Sequence, residues 1–425
     1  MKFALACYGT RGDVEPCAAV GRELLRRGHE VVMAVPPELI GFVESAGLEA
    51  IVYGPEVESF WNADFLRNST WTDFFRNFWT VRGPIKVVRG AVEPLVQHWA
   101  EMSATLKSLA DGADLLFTGL IYRDAAANVA EYYNIPLATL HHFPIGARGR
   151  LFQILPSALA RSAMTVLQWL AWHLTKKAED AQRRELGLPK ATVPATQRIA
   201  ERRSLEIQAY DEVCFPELAA EWAQQDDRRP FVGTLTMELT TAGDDEVASW
   251  IGAGTPPICF SFGSLPVDSP TATVEMISSA CDQLGERALI CAAGTDFTDV
   301  SHRDHIKVVG TVNYAETFPA CRAIVHHGGA GTTAASLRAG VPTLVLWSTE
   351  DQSIWGAQVE KLKVGTVRRF SATTRESLVE DLRQILDPEY ARRAPEIAAR
   401  MTKPADSVAS AADLLQKLAQ SRRLV

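Results

Sequence analysis

Residues 321–352 read CRAIVHHGGAGTTAASLRAGVPTLVLWSTEDQ. An apolar run ends at His326, four turn residues follow (His327 to Ala330), and Gly331-Thr332-Thr333 opens a helical pattern. Glycines let the backbone come close to a ligand, and a helix start offers free N–H groups and partial positive charge. The arrangement predicts a diphosphate site, with His326 as a further donor. Two rival readings stay open on these residues alone. The glycines also suit a tight strand–helix packing turn. Gly329-Ala330-Gly331-Thr332-Thr333-Ala334 also fits G-x-G-x-x-A, with Glu350 and Asp351 about twenty residues on, as in a dinucleotide fingerprint. Against the fingerprint, those acids fall beyond the end of the next strand rather than on it. His326-His327 also stand where a tight apolar turn belongs.

Outward from this stretch, short β-rich runs alternate with helical patterns. In the second half the strands are 258–263, 288–291, 306–309, 323–326 and 343–346; in the first half they are 2–7, 29–35, 48–52, 114–118 and 136–140. Helical patterns cover 14–27, 37–46, 125–133 and, at the end, 406–420. That rhythm implies parallel sheets with helices on both faces, in two doubly wound domains facing a cleft. The 425-residue length agrees with two domains. The polar run AQQDDRRP (223–230) reads as their connector.

A 47% hydrophobic, 22% charged chain is that of a soluble globular protein. Its net charge of −8 argues against binding nucleic acid, which needs a basic face. Seven scattered cysteines without a C-x-x-C pair imply reduced, buried thiols in a cytoplasmic protein. No signal peptide and no membrane-spanning run is expected. No Asp-x-Asp and no His/Cys cluster with ligand spacing occurs, so no metal site is expected.

Near the N-terminus, ACYGTRGDVEP (6–16) is a second strand-to-helix turn with two glycines, Gly9 and Gly12. It carries Asp13, which would repel a pyrophosphate. Asp13-Val14-Glu15-Pro16 reads as a capped first helical turn. A carboxylate beyond the first strand's carboxyl end is also placed to take a proton from a substrate hydroxyl.

These anchors together resemble the GT-B glycosyltransferases that act on glycopeptides, sterols and plant natural products. His326-x-Gly328, Gly331-Thr332, Gly340-Val341-Pro342 and Asp351-Gln352 keep the order and spacing of that family's donor signature. YGTRGDVEP resembles its opening loop, and ICFSFGS (258–264) its F-G-S turn. The wording of the whole chain is similar to mycobacterial glycopeptidolipid glycosyltransferases, which attach a 6-deoxyhexose such as rhamnose or 6-deoxytalose to a lipopeptide.

The resemblance implies an N-terminal acceptor domain (1–222), a linker (223–234), a donor domain (235–405) and a C-terminal helix (406–425) packing back toward the first domain. It implies an inverting, metal-independent hexosyltransferase with no cofactor beyond its dTDP- or UDP-linked sugar. Asp13 would be the base. Gly263, Ser264, His326, Gly331 and Thr332 would hold the diphosphate, Gly12 and Gly328 would be further donor-binding residues, and Asp351 and Gln352 would hold the sugar hydroxyls. The plant Trp that stacks the base is replaced by Thr311-Val312-Asn313 and the plant ribose Glu by Ala334, so base contact falls to the Val312 backbone. Uridine and thymidine both stay open. The plant family's base is a histidine with an aspartate partner; Phe117-Thr118-Gly119 supplies no such acid, so Asp13 is expected to act directly.

The aromatic-rich stretch between Phe60 and Trp99, with Trp61, Phe75 and Trp79, reads either as core or as a wall for an apolar lipid or lipopeptide acceptor. His142, beyond the fifth strand, is a further acceptor candidate. Residues 151–175 are a second wall, able to lie on the inner membrane face. The competing functions are an NAD-dependent oxidoreductase using the Gly329 turn and a non-catalytic sugar-nucleotide binder.

Overall fold

The computed structural model describes residues 1–60, 82–144, 157–224, 227–263, 269–292 and 303–423. The chain forms two compact units, Met1–Tyr210 with Glu217–Thr236 and Pro404–Val425, and Asp211–Pro216 with Met237–Lys403.

Each unit is built on a six-stranded sheet whose recorded strand pairings are all parallel. In the first, β1 (Lys2–Ala6), β2 (Glu30–Val35), β3 (Glu49–Val52), β4 (Leu115–Thr118), β5 (Leu137–His141) and β6 (Leu205–Gln208) take the order β3-β2-β1-β4-β5-β6. In the second, β7 (Ile258–Ser261), β8 (Ala288–Cys291), β9 (Ile306–Val309), β10 (Ala323–His326), β11 (Thr343–Trp347) and β12 (Gly365–Arg369) take the order β12-β11-β10-β7-β8-β9. Central strands covered on both faces read as unbroken apolar runs, as in Phe3-Ala4-Leu5-Ala6 and Ile258-Cys259-Phe260, all wholly buried. The seven cysteines are buried and unpaired.

Both sheets reverse strand order beside a particular strand: β1 lies between β2 and β4, and β10 between β11 and β7. Loops at the carboxyl ends of strands at such a switch point are where open α/β sheets hold ligands. The two glycine turns follow β1 and β10.

The C-terminal helix Pro404–Arg423 belongs to the first unit. Arg27 donates to its Asp413 carboxylate (2.5 Å), and Gln416 meets the His29 ring at 2.7 Å. Residues 230–232 run beside β6, where Gln208 N–H donates to Pro230 and Val232 N–H to Gln208. The connector is therefore stitched to the first sheet.

Candidate functional site

The turn after β10 is built on glycines that its close packing requires. Gly328 has φ +90°, and a Cβ there would lie 2.8 Å from Val345 Cγ1 and 2.9 Å from the Gln352 carbonyl, so only glycine fits. Gly329 is the N-cap of helix Ala330–Ala339, with Thr333 N–H and hydroxyl both donating to its carbonyl at 2.9 and 2.8 Å. A Cβ on Gly331 would meet nothing within 4 Å, so the space over the helix start is open. The N–H groups of Gly331 and Thr332 belong to that first turn, where the helix dipole favours an anion.

His326 closes β10 and is wholly buried. Its Nδ1 accepts from Gly328 N–H at 2.9 Å, so in the neutral ring the proton sits on Nε2. That Nε2 is buried and finds no partner among the described residues. Burial, reinforced by the neighbouring His327, pulls the His326 pKa down to about 3. The ring is therefore a neutral donor, not a cation. His327 was not singled out by the sequence reading, yet it braces the site. Its N–H donates to Ser261 on β7, and its ring fills the space that a Cβ on Gly263 or Gly329 would need. The doubled histidine before the glycines was the available signal. Gly263 has φ +70°, and Ser264 lies outside the described residues.

Beyond β11, Thr349 caps helix Glu350–Leu362 in a capping box with Gln352. The Gln352 oxygen accepts from Ser348 N–H (2.8 Å) and Thr349 N–H (3.1 Å), and the residue is buried. Its carbonyl thus serves the cap, which leaves the exposed Asp351 as the accepting member of the pair. Glu350 and Asp351 sit in this helix's first turn rather than at the strand end, which is not where a dinucleotide ribose ligand belongs. Val312 is buried among Val247, Ile251 and Phe318.

In the first unit, helix Arg11–Arg26 starts three residues earlier than the apolar pattern suggested. Thr10 is its N-cap and Asp13 its third residue, so the expected N-cap role of Asp13 is corrected. The carboxylate folds back over the turn, where Oδ2 accepts from Thr10 N–H (2.8 Å) and Thr10 hydroxyl (3.2 Å). Gly9, at φ +137°, makes room for it, since a Cβ would stand 2.3 Å from Oδ2. Cys7 Sγ donates to the Asp13 carbonyl at 3.0 Å and pins the turn to β1. Gly12 lies in the same first turn and belongs to the first unit, whereas the other donor candidates belong to the second.

The other Asp13 oxygen meets a residue that the sequence reading assigned to the acceptor. His142, just beyond β5, brings Nε2 to 3.1 Å from Asp13 Oδ1; the two side chains are 16% and 27% exposed. His142 Nδ1 is buried without a partner among the described residues. Its neighbour His141 is structural: it is buried, 3.1 Å from the Thr139 hydroxyl, and burial holds its pKa well below the usual value.

Trp61, Phe75 and Trp79 lie outside the described residues. The two ends of their stretch are core. Phe60 packs on Tyr8 with ring centroids 4.8 Å apart, and Trp99 donates to Gln182 at 3.0 Å. On helix Ser157–Glu185, Trp172 is buried and donates to Glu179, while Val166 and Trp169 are 62% and 53% exposed. Among the described residues no helix is long and apolar enough to cross a membrane, and no group of three His, Cys, Asp or Glu could hold a metal ion.

The family model for the erythromycin biosynthesis protein CIII-like C-terminal domain matches residues 271–419, and that for the glycosyltransferase family 28 N-terminal domain matches 3–96. An uncharacterized glycosyltransferase of Mycobacterium tuberculosis is 59% identical over 425 residues, 100% of both chains. A sterol 3-beta-glucosyltransferase of Arabidopsis thaliana is 25% identical over 98% of this chain and 68% of its own. Among solved structures, glycosyltransferase VinC in complex with dTDP aligns with a TM-score of 0.67 at 16% identity, covering 99% of this chain and 100% of that one. Spinosyn rhamnosyltransferase SpnG, complexed with thymidine diphosphate, aligns with a TM-score of 0.66 at 16% identity, covering 96% and 99%. Those two likenesses bear on the fold, which is GT-B.

Proposed function

The chain belongs to the GT-B glycosyltransferases, with a family 28-type N-terminal part and an erythromycin CIII-like C-terminal part, and on that premise we propose that it moves a hexose or 6-deoxyhexose from a dTDP- or UDP-sugar to a hydroxyl of a hydrophobic acceptor, with inversion and without a metal or other cofactor. The observation that carries the donor half is the open first turn of helix Ala330–Ala339 after the glycine turn, together with the buried His326 Nε2, which has no partner among the described residues. A buried donor without a partner costs about 1–3 kcal/mol, which a bound anion recovers. Thymidine diphosphate in the VinC and SpnG complexes, and the rhamnosyl group in SpnG's name, support a dTDP-6-deoxyhexose as donor. The lipopeptide acceptor rests on the resemblance in wording to glycopeptidolipid transferases. Contact with the inner membrane face rests on the exposed Val166 and Trp169.

In this reading Asp13 takes the acceptor's hydroxyl proton as the oxygen attacks the anomeric carbon. The bond from that carbon to the diphosphate oxygen breaks, and the electron pair leaves with the nucleoside diphosphate. Gly331 and Thr332 N–H groups, the helix dipole and neutral His326 stabilise the departing charge. The test is incubation with a panel of dTDP- and UDP-sugars and a lipopeptide extract, read by mass spectrometry. A glycosylated acceptor with equimolar nucleoside diphosphate supports the reading. No product with any sugar nucleotide, together with binding of a nicotinamide dinucleotide, overturns it.

A further inference from the structure

We propose that His142 is the positioning residue for the Asp13 carboxylate, fixing which oxygen, and which lone pair of it, receives the acceptor's proton. The inference rests on the reading of Asp13 as base. An ionised carboxylate offers about four lone-pair sites. Thr10 takes two of them, both on Oδ2, through its N–H and its hydroxyl. His142 Nε2, 3.1 Å from Oδ1, stands within hydrogen-bond reach of a third. One site on Oδ1 is left for an acceptor hydroxyl.

The rest of the local structure holds this arrangement still. Gly9 gives the carboxylate its seat and Cys7 fastens the Asp13 backbone, so the turn has little freedom to offer the other oxygen. His142 reaches Oδ1 from the end of β5, two strands away from β1 in the sheet and 129 residues on in the chain. Asp13 is the more exposed of the pair, while the second ring nitrogen of His142 is buried. A substrate hydroxyl therefore meets the carboxylate, and the imidazole acts from behind it. The familiar order, histidine in front and aspartate behind, is reversed.

Glutamine and asparagine at position 142 separate this role from its rivals. The Gln amide nitrogen reaches nearly where Nε2 stood and donates to Oδ1, but it cannot take a proton. The Asn amide is too short to reach. His142→Gln should keep kcat close to wild type, and His142→Asn and His142→Ala should lower it about 10²-fold by misplacing the base, with donor KM and the thermal midpoint unchanged in all three. Equal wild-type turnover in all variants overturns the proposal, because His142 then does nothing to Asp13. Loss of turnover in His142→Gln as deep as in His142→Ala overturns it as well, because the imidazole itself then takes the proton. Asp13→Asn is measured beside them. If it turns over normally, the base assignment fails, whatever His142 does.

Discussion

His326 shows how burial changes what a side chain contributes. The sequence offers His326 as a donor to the diphosphate, and with its pKa held at about 3 the ring is a neutral donor at physiological pH. Its contribution is a fixed N–H. Replacing it by Ala should slow turnover by about 10²–10³ and weaken nucleoside diphosphate binding, as loss of one preorganised donor does elsewhere; steady-state kinetics and titration calorimetry check both. The same burial has a consequence for stability. In the unfolded chain the ring titrates near its ordinary value of 6.5, so between about pH 6.5 and 3 the unfolded state binds the extra proton. Stability from this residue is full above 6.5 and is lost as the pH falls toward 3. His326→Asn should therefore flatten the acid limb of the melting-temperature profile. At Asp13 the expectation is sharper. Asn in its place keeps a polar side chain over Gly9 but cannot accept the proton, so kcat should fall by roughly 10²–10⁴ with donor affinity unchanged.

At the scale of elements, the strands that bear the site were legible because parallel strands buried on both faces leave unbroken apolar runs, such as Phe3 to Ala6 and Ala323 to Val325. Of the four edge strands, β3 and β9 were read but β6 and β12 were not. β6 carries Glu206, and β12 reads GTVRR with Arg368 paired to Asp381; polar edges hide the pattern. Both glycine turns could be read from their residues. The cap at Asp13 was misread because Thr10 three residues earlier completes the box, and the Asp13–His142 contact was out of reach because only the fold brings the ends of β1 and β5 together. Helix Glu350–Leu362 illustrates a residue with two claims on it. Gln352→Ala should cost about 1 kcal/mol of stability as the box is lost, visible as a lower thermal midpoint. Asp351→Ala, on the exposed first turn, should leave stability and nucleoside diphosphate affinity near normal and lower turnover, since that side chain is assigned to the sugar.

For the molecule as a whole, two sheets of one strand order each place a glycine turn at a switch point, but the turns are chemically opposite. One opens a helix whose first-turn N–H groups favour negative charge; the other holds a carboxylate. Neither needs a divalent cation in the proposed reaction, so turnover should persist in excess chelator, and loss restored by magnesium would refute that. The central claim is a single displacement with Asp13 as base. It is tested most directly by the anomeric configuration of the product, read from the one-bond carbon–hydrogen coupling at the sugar's C1 after transfer from a donor of known configuration. The account predicts the configuration opposite to that of the donor. Retention of the donor's configuration would contradict it.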